Sequence, residues 1–244
     1  MICISCENEQ VVEITDTYVE KVVVRAELKK GSLFNGVSIT RTLPLNSSYD
    51  INKAEFEYFT GYLRISDTVI VPIHYTSDGI YKPLHSLKII GGTKYELIAN
   101  ADGKQIYALT TVPDTIIINS ISSKEGKFIV AQVTSNQKYV YGAIWTNNSA
   151  QADDFYSIVE PFENSSTITV QTKEIPSELF NGSFVGIKVY AFEKSYSEYF
   201  KTKQYSQSIT NIFAQGGGSV SWNVKGDNII GMFIGYAESG LKRL

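Results

Sequence analysis

Cys3 and Cys6 form a C-x-x-C pair at the start of the chain, and no cysteine follows. Thiols at that spacing open three chemistries. A redox pair normally sits at a helix start in a βαβ unit, and none follows here. Zinc takes about four ligands, and the two histidines, His74 and His85, lie far along the chain. The third chemistry is acylation of Cys6. The short run Met1-Ile2-Cys3-Ile4-Ser5 is apolar or small, and the polar, acidic Glu7-Asn8-Glu9 follows the cysteine. A secretory signal needs a basic region and about 7–15 apolar residues before its cleavage site. Five residues precede Cys6, so this reading expects an upstream start. The plain alternative is two unreacted thiols on a solvated terminus.

Aromatic residues are the next candidates. Tyr139, Tyr141, Trp145, Phe155 and Tyr156 lie close in sequence, and Trp222 stands in a polar stretch. Exposed rings hold sugars, with neighbouring amides and carboxylates meeting the hydroxyls. Asn147, Asn148, Asp153 and Asp154 suit that role by position. This gives a possible ligand set of Tyr141, Trp145, Asp153, Asp154 and Trp222, with a glycan as its partner. The competing reading is that alternating Tyr and Trp on a strand pack inside a core. Asp153 and Asp154, with Glu160 and Glu163, offer oxygens to calcium, but no D-x-D-x-D-G loop surrounds them. Adjacent carboxylates on a strand point to opposite faces, which disfavours a hydrolase pair. Ser and His occur without a nucleophile elbow. No catalytic residue, metal or cofactor is assigned.

Composition narrows the classes. The chain has 22 Lys and Arg against 25 Asp and Glu, a net charge of −3. Without a basic stripe, nucleic acid is not an expected partner. No run of about 18 apolar residues exists to span a membrane as a helix, so a lipid on Cys6 is the one expected membrane contact. The 16 tyrosines, with plentiful Thr, Ile and Val, suit pleated surfaces.

The elements that must position these groups are strands. Residues 1–20 read as a tether. From Lys21 the period is two: Val22, Val24, Ala26 and Leu28 share one face. Val37 and Ile39, then Ala54, Phe56 and Tyr58, then Leu63 and Ile65, continue the alternation. Pro72 marks the run Val69 to Tyr75 as an edge strand. Ser77-Asp78-Gly79 is a turn, and Asn100-Ala101-Asp102-Gly103 joins two arms of a hairpin ending near Val112. A second set runs through Thr115–Ile118, Phe128–Val133, Tyr139–Trp145, Phe155–Val159, Thr167–Gln171, Ser183–Phe192 and Ile229–Ala237. Tyr196, Tyr199 and Phe200 fall at helical spacing, which predicts one amphipathic helix over 194–208. The expected fold is mainly β: a sandwich over 21–113 and a second β-rich, sandwich-like domain over 114–244 that carries the helix.

Several segments together carry a resemblance. They are Cys6-Glu7-Asn8-Glu9, Val22-Val23-Val24-Arg25-Ala26, Gly91-Gly92-Thr93-Lys94-Tyr95-Glu96-Leu97, Tyr107 to Pro113, Ile118-Asn119-Ser120-Ile121 and Asn228 to Tyr236. In that order they resemble the Bacteroidetes outer-membrane lipoprotein family known as domain of unknown function 4249. The resemblance implies an N-terminal prealbumin-like or carboxypeptidase-regulatory-like sandwich and a second β-rich domain. It also implies a lipid on Cys6, a surface-exposed place in the outer membrane, and a TonB-dependent nutrient receptor as partner. It carries over no catalytic residue.

Overall fold

The computed structural model describes residues 18–44, 47–148, 150–180, 184–197 and 223–244. Cys3, Cys6 and Trp222 lie outside them. The first half holds β1 (Val22–Lys29), β2 (Val37–Arg41), β3 (Phe59–Ile65), β4 (Val69–Ser77), β5 (Ile80–Lys82), β6 (Lys94–Ala101) and β7 (Lys104–Thr111). Then come β8 (Ile118–Lys124), β9 (Phe128–Thr134), β10 (Tyr139–Thr146), β11 (Thr167–Gln171) and β12 (Gly186–Glu193). The chain closes with β13 (Val224–Lys225), β14 (Ile229–Glu238) and β15 (Lys242–Arg243). The helical elements with described bounds are short: α1 (Ile51–Ala54), α2 (Ser177–Phe180) and a 3-10 turn at Lys194–Tyr196. The fold is mainly β.

One sheet runs in the order β10-β12-β14-β1-β2-β5-β4-β3-β6-β7-β13, with β15 beside β12. A second has the order β11-β9-β8. The joint between the halves is the parallel pairing of β1 with β14, from Val22 opposite Ile229 to Lys29 opposite Tyr236. Alternation on β14 sends its side chains two ways. Ile229 and Phe233 join a core built from β1 to β7. Met232 and Ile234 join a second core built from β9 to β12. The first-half core is drawn from residues 22–112 together with Val224, Ile229 and Phe233.

The long sheet curls until β7 returns against β14, where side chains bridge the strands. The Asn223 amide nitrogen donates to the Leu109 carbonyl of β7 at 3.3 Å and to the Phe233 carbonyl of β14 at 2.9 Å. Its oxygen accepts from the Phe233 amide at 2.9 Å. The Gly235 amide donates to Thr110 Oγ1 at 3.0 Å. Buried backbone groups need partners, and these side chains supply them where a strand neighbour is missing. Glu193 accepts from the Thr110 hydroxyl and the Thr111 amide; burial raises its carboxyl above the ordinary value. The buried Tyr196 hydroxyl donates to the Phe233 carbonyl.

Two expectations from the sequence change in the structure. Residues 54–58 form no strand. Asp50 caps α1 by accepting from the Asn52 amide at 3.1 Å, and the chain then crosses the end of the curled sheet. Phe155–Val159 is not a strand either: it contributes one isolated bridge, Tyr141 to Val159. Phe155 instead lies over Gly142, where a Cβ would meet its ring at 2.6 Å. That cover is why every residue of β10 is buried, on both faces. Of the helix expected over 194–208, the described part is the 3-10 turn at Lys194–Tyr196 and the helical Ser197; residues 198–208 lie outside the described set.

Two measurements test this frame. Gly231 has φ +134°, and a Cβ there would collide with the carbonyl of Val24 on β1 and lie 2.8 Å from its amide nitrogen. Gly231→Ala is expected to cost about 3 kcal/mol or more, read as a fall in the urea midpoint. Glu96, 3% exposed on β6, accepts from the Arg64 guanidinium, from Lys94 at 3.1 Å and from Tyr107 at 3.0 Å. The Arg64 hydrogen bond leads in holding its carboxyl down at about 2. A depressed folded-state value stabilises the fold above the unfolded value of about 4.3, and that contribution fades as pH falls toward 2. Glu96→Gln is therefore expected to be about 1–2 kcal/mol less stable at neutral pH, with the gap closing in acid, as followed by urea titrations across that range.

Candidate binding face on strand β4

The sugar platform expected from the sequence is not an exposed strip. Tyr141 is 3% and Trp145 7% exposed, and both belong to the second core. The Tyr141 hydroxyl is occupied, accepting from the Asn136 amide at 3.0 Å. Asp154 is buried and pairs with Lys173 at 2.5 Å, while Asp153 is exposed. The structure thus separates Asp153 from the rings it was grouped with, and Trp222 lies outside the described residues. Among the described residues, no three His, Cys, Asp or Glu come together to hold a metal ion.

The surface instead concentrates apolar and aromatic side chains on β4. A strand inside an antiparallel sheet normally buries one face, yet eight of the nine β4 residues are not buried and Ile73 alone is. Val69, Ile70 and Tyr75 are each more than half exposed. The pairing explains part of this. β3 lies beside Val69–Ile73 and β5 beside His74–Ser77, so each stretch has a strand on one side only. Pro72, which lacks an amide proton, sits opposite Tyr62 of β3 where no strand covers its other edge. The edge expected from Pro72 is therefore local.

Two depressions meet on this strand at His74. The first, about 330 Å³, is an apolar groove between Val71, Pro72 and His74 and the segment Pro83-Leu84-His85-Ser86-Leu87. Leu84 on its rim is 77% exposed. Both histidines of the chain line it.

The second is a cleft of about 440 Å³ between residues 55–59 and Ile73, His74, Tyr75 and Tyr81. Its aromatic wall is built by packing: Phe59 stacks on Tyr81 with centroids 3.7 Å apart, and Tyr75 meets Tyr81 edge-on at 5.8 Å. Glu55 fixes the rim. Its Oε1 accepts from the Tyr75 hydroxyl at 2.8 Å and from the Gly79 amide at 2.6 Å. That hydrogen bond to Glu55 raises the Tyr75 phenol above its ordinary value. The opposite wall is pinned from the end of the sheet. Asp102, in the turn between β6 and β7, accepts from the Tyr58 amide at 2.9 Å and from Arg41 at 2.6 Å. Arg41 in turn covers the Phe56 ring at 4.4 Å.

Tyr81 is the anomaly. It is 1% exposed, and its hydroxyl is buried with no partner among the described residues. Burial pushes its phenol up to about 12. No sequence pattern marked it: Tyr81 follows a turn in a three-residue strand too short to show a period. Glu55, Phe59 and Tyr75 are spread over three elements, and nothing in their spacing announces a cleft. An unpaired buried hydroxyl costs about 1–3 kcal/mol. Tyr81→Phe is accordingly expected to leave stability unchanged or raise it by about 1 kcal/mol, whereas Tyr196→Phe, which breaks a made bond, should lower it by about that much. Paired thermal melts check the opposite signs.

No curated protein matches this chain. A family model described as Domain of unknown function (DUF4249) matches residues 7–241, nearly the whole of this chain, which belongs to that family.

Proposed function

We propose that this protein is a non-enzymatic surface lipoprotein, held at the outer membrane by a lipid on Cys6, and a binding or accessory component beside a TonB-dependent nutrient receptor. The observation that carries the reading is the exposed apolar groove along β4 and residues 83–87. Contiguous apolar surface with a polar surround is a recurrent mark of protein association. Leu84, Pro83 and Val71 offer the anchoring side chains, and the exposed edge at Val69–Pro72 leaves backbone groups free for a partner segment. A single acyl chain holds a protein weakly and several hold it firmly, so a multiply acylated Cys6 would set the protein beside membrane-embedded partners.

Two experiments on the protein in its native membrane test the reading. Intact mass of the purified protein is expected to show an acylated N-terminal cysteine; a free Cys6 thiol would remove the anchor. Cross-linking is expected to join residues 83–87 to an outer-membrane β-barrel receptor, and Leu84→Asp to abolish the link while leaving the melt unchanged. Absence of any such receptor adduct, or an adduct indifferent to Leu84→Asp, would overturn the docking.

A further inference from the structure

We infer that the cleft between residues 55–59 and Tyr75 is a binding site for a small organic cation, an ammonium group carried on carbon. Four features point to it. The walls are aromatic: Tyr81 packs against both Phe59 and Tyr75, and Tyr75 is more than half exposed. Ring faces attract cations through their quadrupole, most strongly where water is displaced. Two carboxylates, Glu55 and Glu57, line the same cleft, and no lysine or arginine does. Among the described residues neither forms an ion pair with a lysine or arginine, whereas Glu20, Glu96 and Glu238 all do.

The third feature is the hydrogen-bond inventory. Carboxylates only accept, and the Tyr75 proton is already given to Glu55. Of the side chains open to the cleft, the His74 imidazole offers an N–H while Glu55 and Glu57 only accept, so acceptors outnumber accessible donors. A cation supplies what that lacks; a neutral polyol, which needs donors and acceptors in turn, is matched less well. The fourth is Tyr81. Its hydroxyl is fully buried without a partner on the residue that backs the cleft. A fold that keeps an unpaired buried hydroxyl sacrifices stability there, and such sacrifices collect at binding sites. The site does not depend on the Cys6 lipid or on the apolar groove, so it stands or falls apart from the receptor docking.

The test is titration of the full chain with choline and with its uncharged isostere, in which a tert-butyl group replaces the trimethylammonium. Calorimetry and the NMR shifts of Tyr75, Gly79 and Tyr81 are the readouts. Choline is expected to bind saturably and the isostere at least about tenfold more weakly. Tyr75→Ala and Glu57→Gln should each weaken choline by about tenfold, while Tyr75→Phe keeps the ring and keeps binding. Leu84→Asp, in the groove, and Tyr156→Ala, exposed on another loop, should change nothing. Equal affinity for choline and its isostere would overturn the inference. So would choline binding indifferent to Tyr75→Ala and Glu57→Gln, saturable binding of a neutral methyl glycoside in place of choline, or no binding at all.

Discussion

The parallel contact between the first and last long strands is the constraint on which the rest depends. β14 is the only described strand whose two faces feed both cores: Phe233 points one way, Met232 and Ile234 the other. Removing it would open the first core along Val22, Val24, Ala26 and Leu28 and strip the second of its inner wall. Parallel neighbours need a crossover, and here the crossover is nearly the whole chain. Little can be settled in either core until about 200 intervening residues have placed β14, and pairing so distant in sequence forms slowly because loop closure precedes its reward. Gly231 and Gly235 fit that role. The first admits the backbone of β1 at close range, and the second lets β7 approach with Thr110 Oγ1 2.9 Å and the Val112 Cα 3.0 Å from where a Cβ would stand.

Where β7 meets β14 the fold exchanges a backbone ladder for side chains. Asn223 offers donor and acceptor from one amide and so imitates a neighbouring peptide unit toward Phe233. Thr110 accepts from Gly235 and passes its own proton to Glu193. Tyr196 caps the same carbonyl that Asn223 contacts, and the two side chains touch each other at 2.7 Å. An apolar seam of equal area would bury the free amides of β14 unpaired, at about 1–3 kcal/mol each. A polar seam satisfies them and also fixes register, because a slip by one residue would present the wrong edge. Such networks are worth more whole than the sum of their parts, which ties the two cores into one cooperative structure.

Much of the strand pattern is legible in the sequence where one face meets a core and the other meets water. Val22 to Leu28 alternate as written, and burial follows residue by residue. The hairpin of β6 and β7 closes on Asp102 and Gly103, both at positive φ, as the Asp-Gly pair announces. Legibility fails where that asymmetry is lost. β10 is buried on both faces, so Tyr141 and Trp145 look like an available aromatic stripe when in fact each has a packing partner. Ala54 and Phe56 are buried and Tyr58 is exposed, a pattern that an irregular segment crossing the sheet end shares with a strand. The parallel β1 and β14 contact leaves no local trace, since period two is silent about which strand lies alongside. The β4 cleft is hidden for the same reason: its residues come from three segments that only the curl of the sheet assembles.

The contrast between β4 and β14 shows where the fold has slack. β14 lies at the centre, nearly all of it buried, with each edge satisfied by strand or side chain. β4 sits across the curled sheet with Val69, Ile70, Tyr75 and Leu84 in water nearby. Covering those side chains from within would take only small changes. A polar residue at Ile70 would lose little packing, and threonine suits an exposed strand equally well. Exposed edges and apolar strands carry an association hazard that proteins usually blunt with charge. Here Lys and Arg are absent from β4 itself; the flanking strands set Arg64 opposite Ile70 and Lys82 opposite His74, and Glu55 and Glu57 line the cleft. An apolar and aromatic surface left open beside two well-packed cores is better explained by what it contacts than by how the chain holds together.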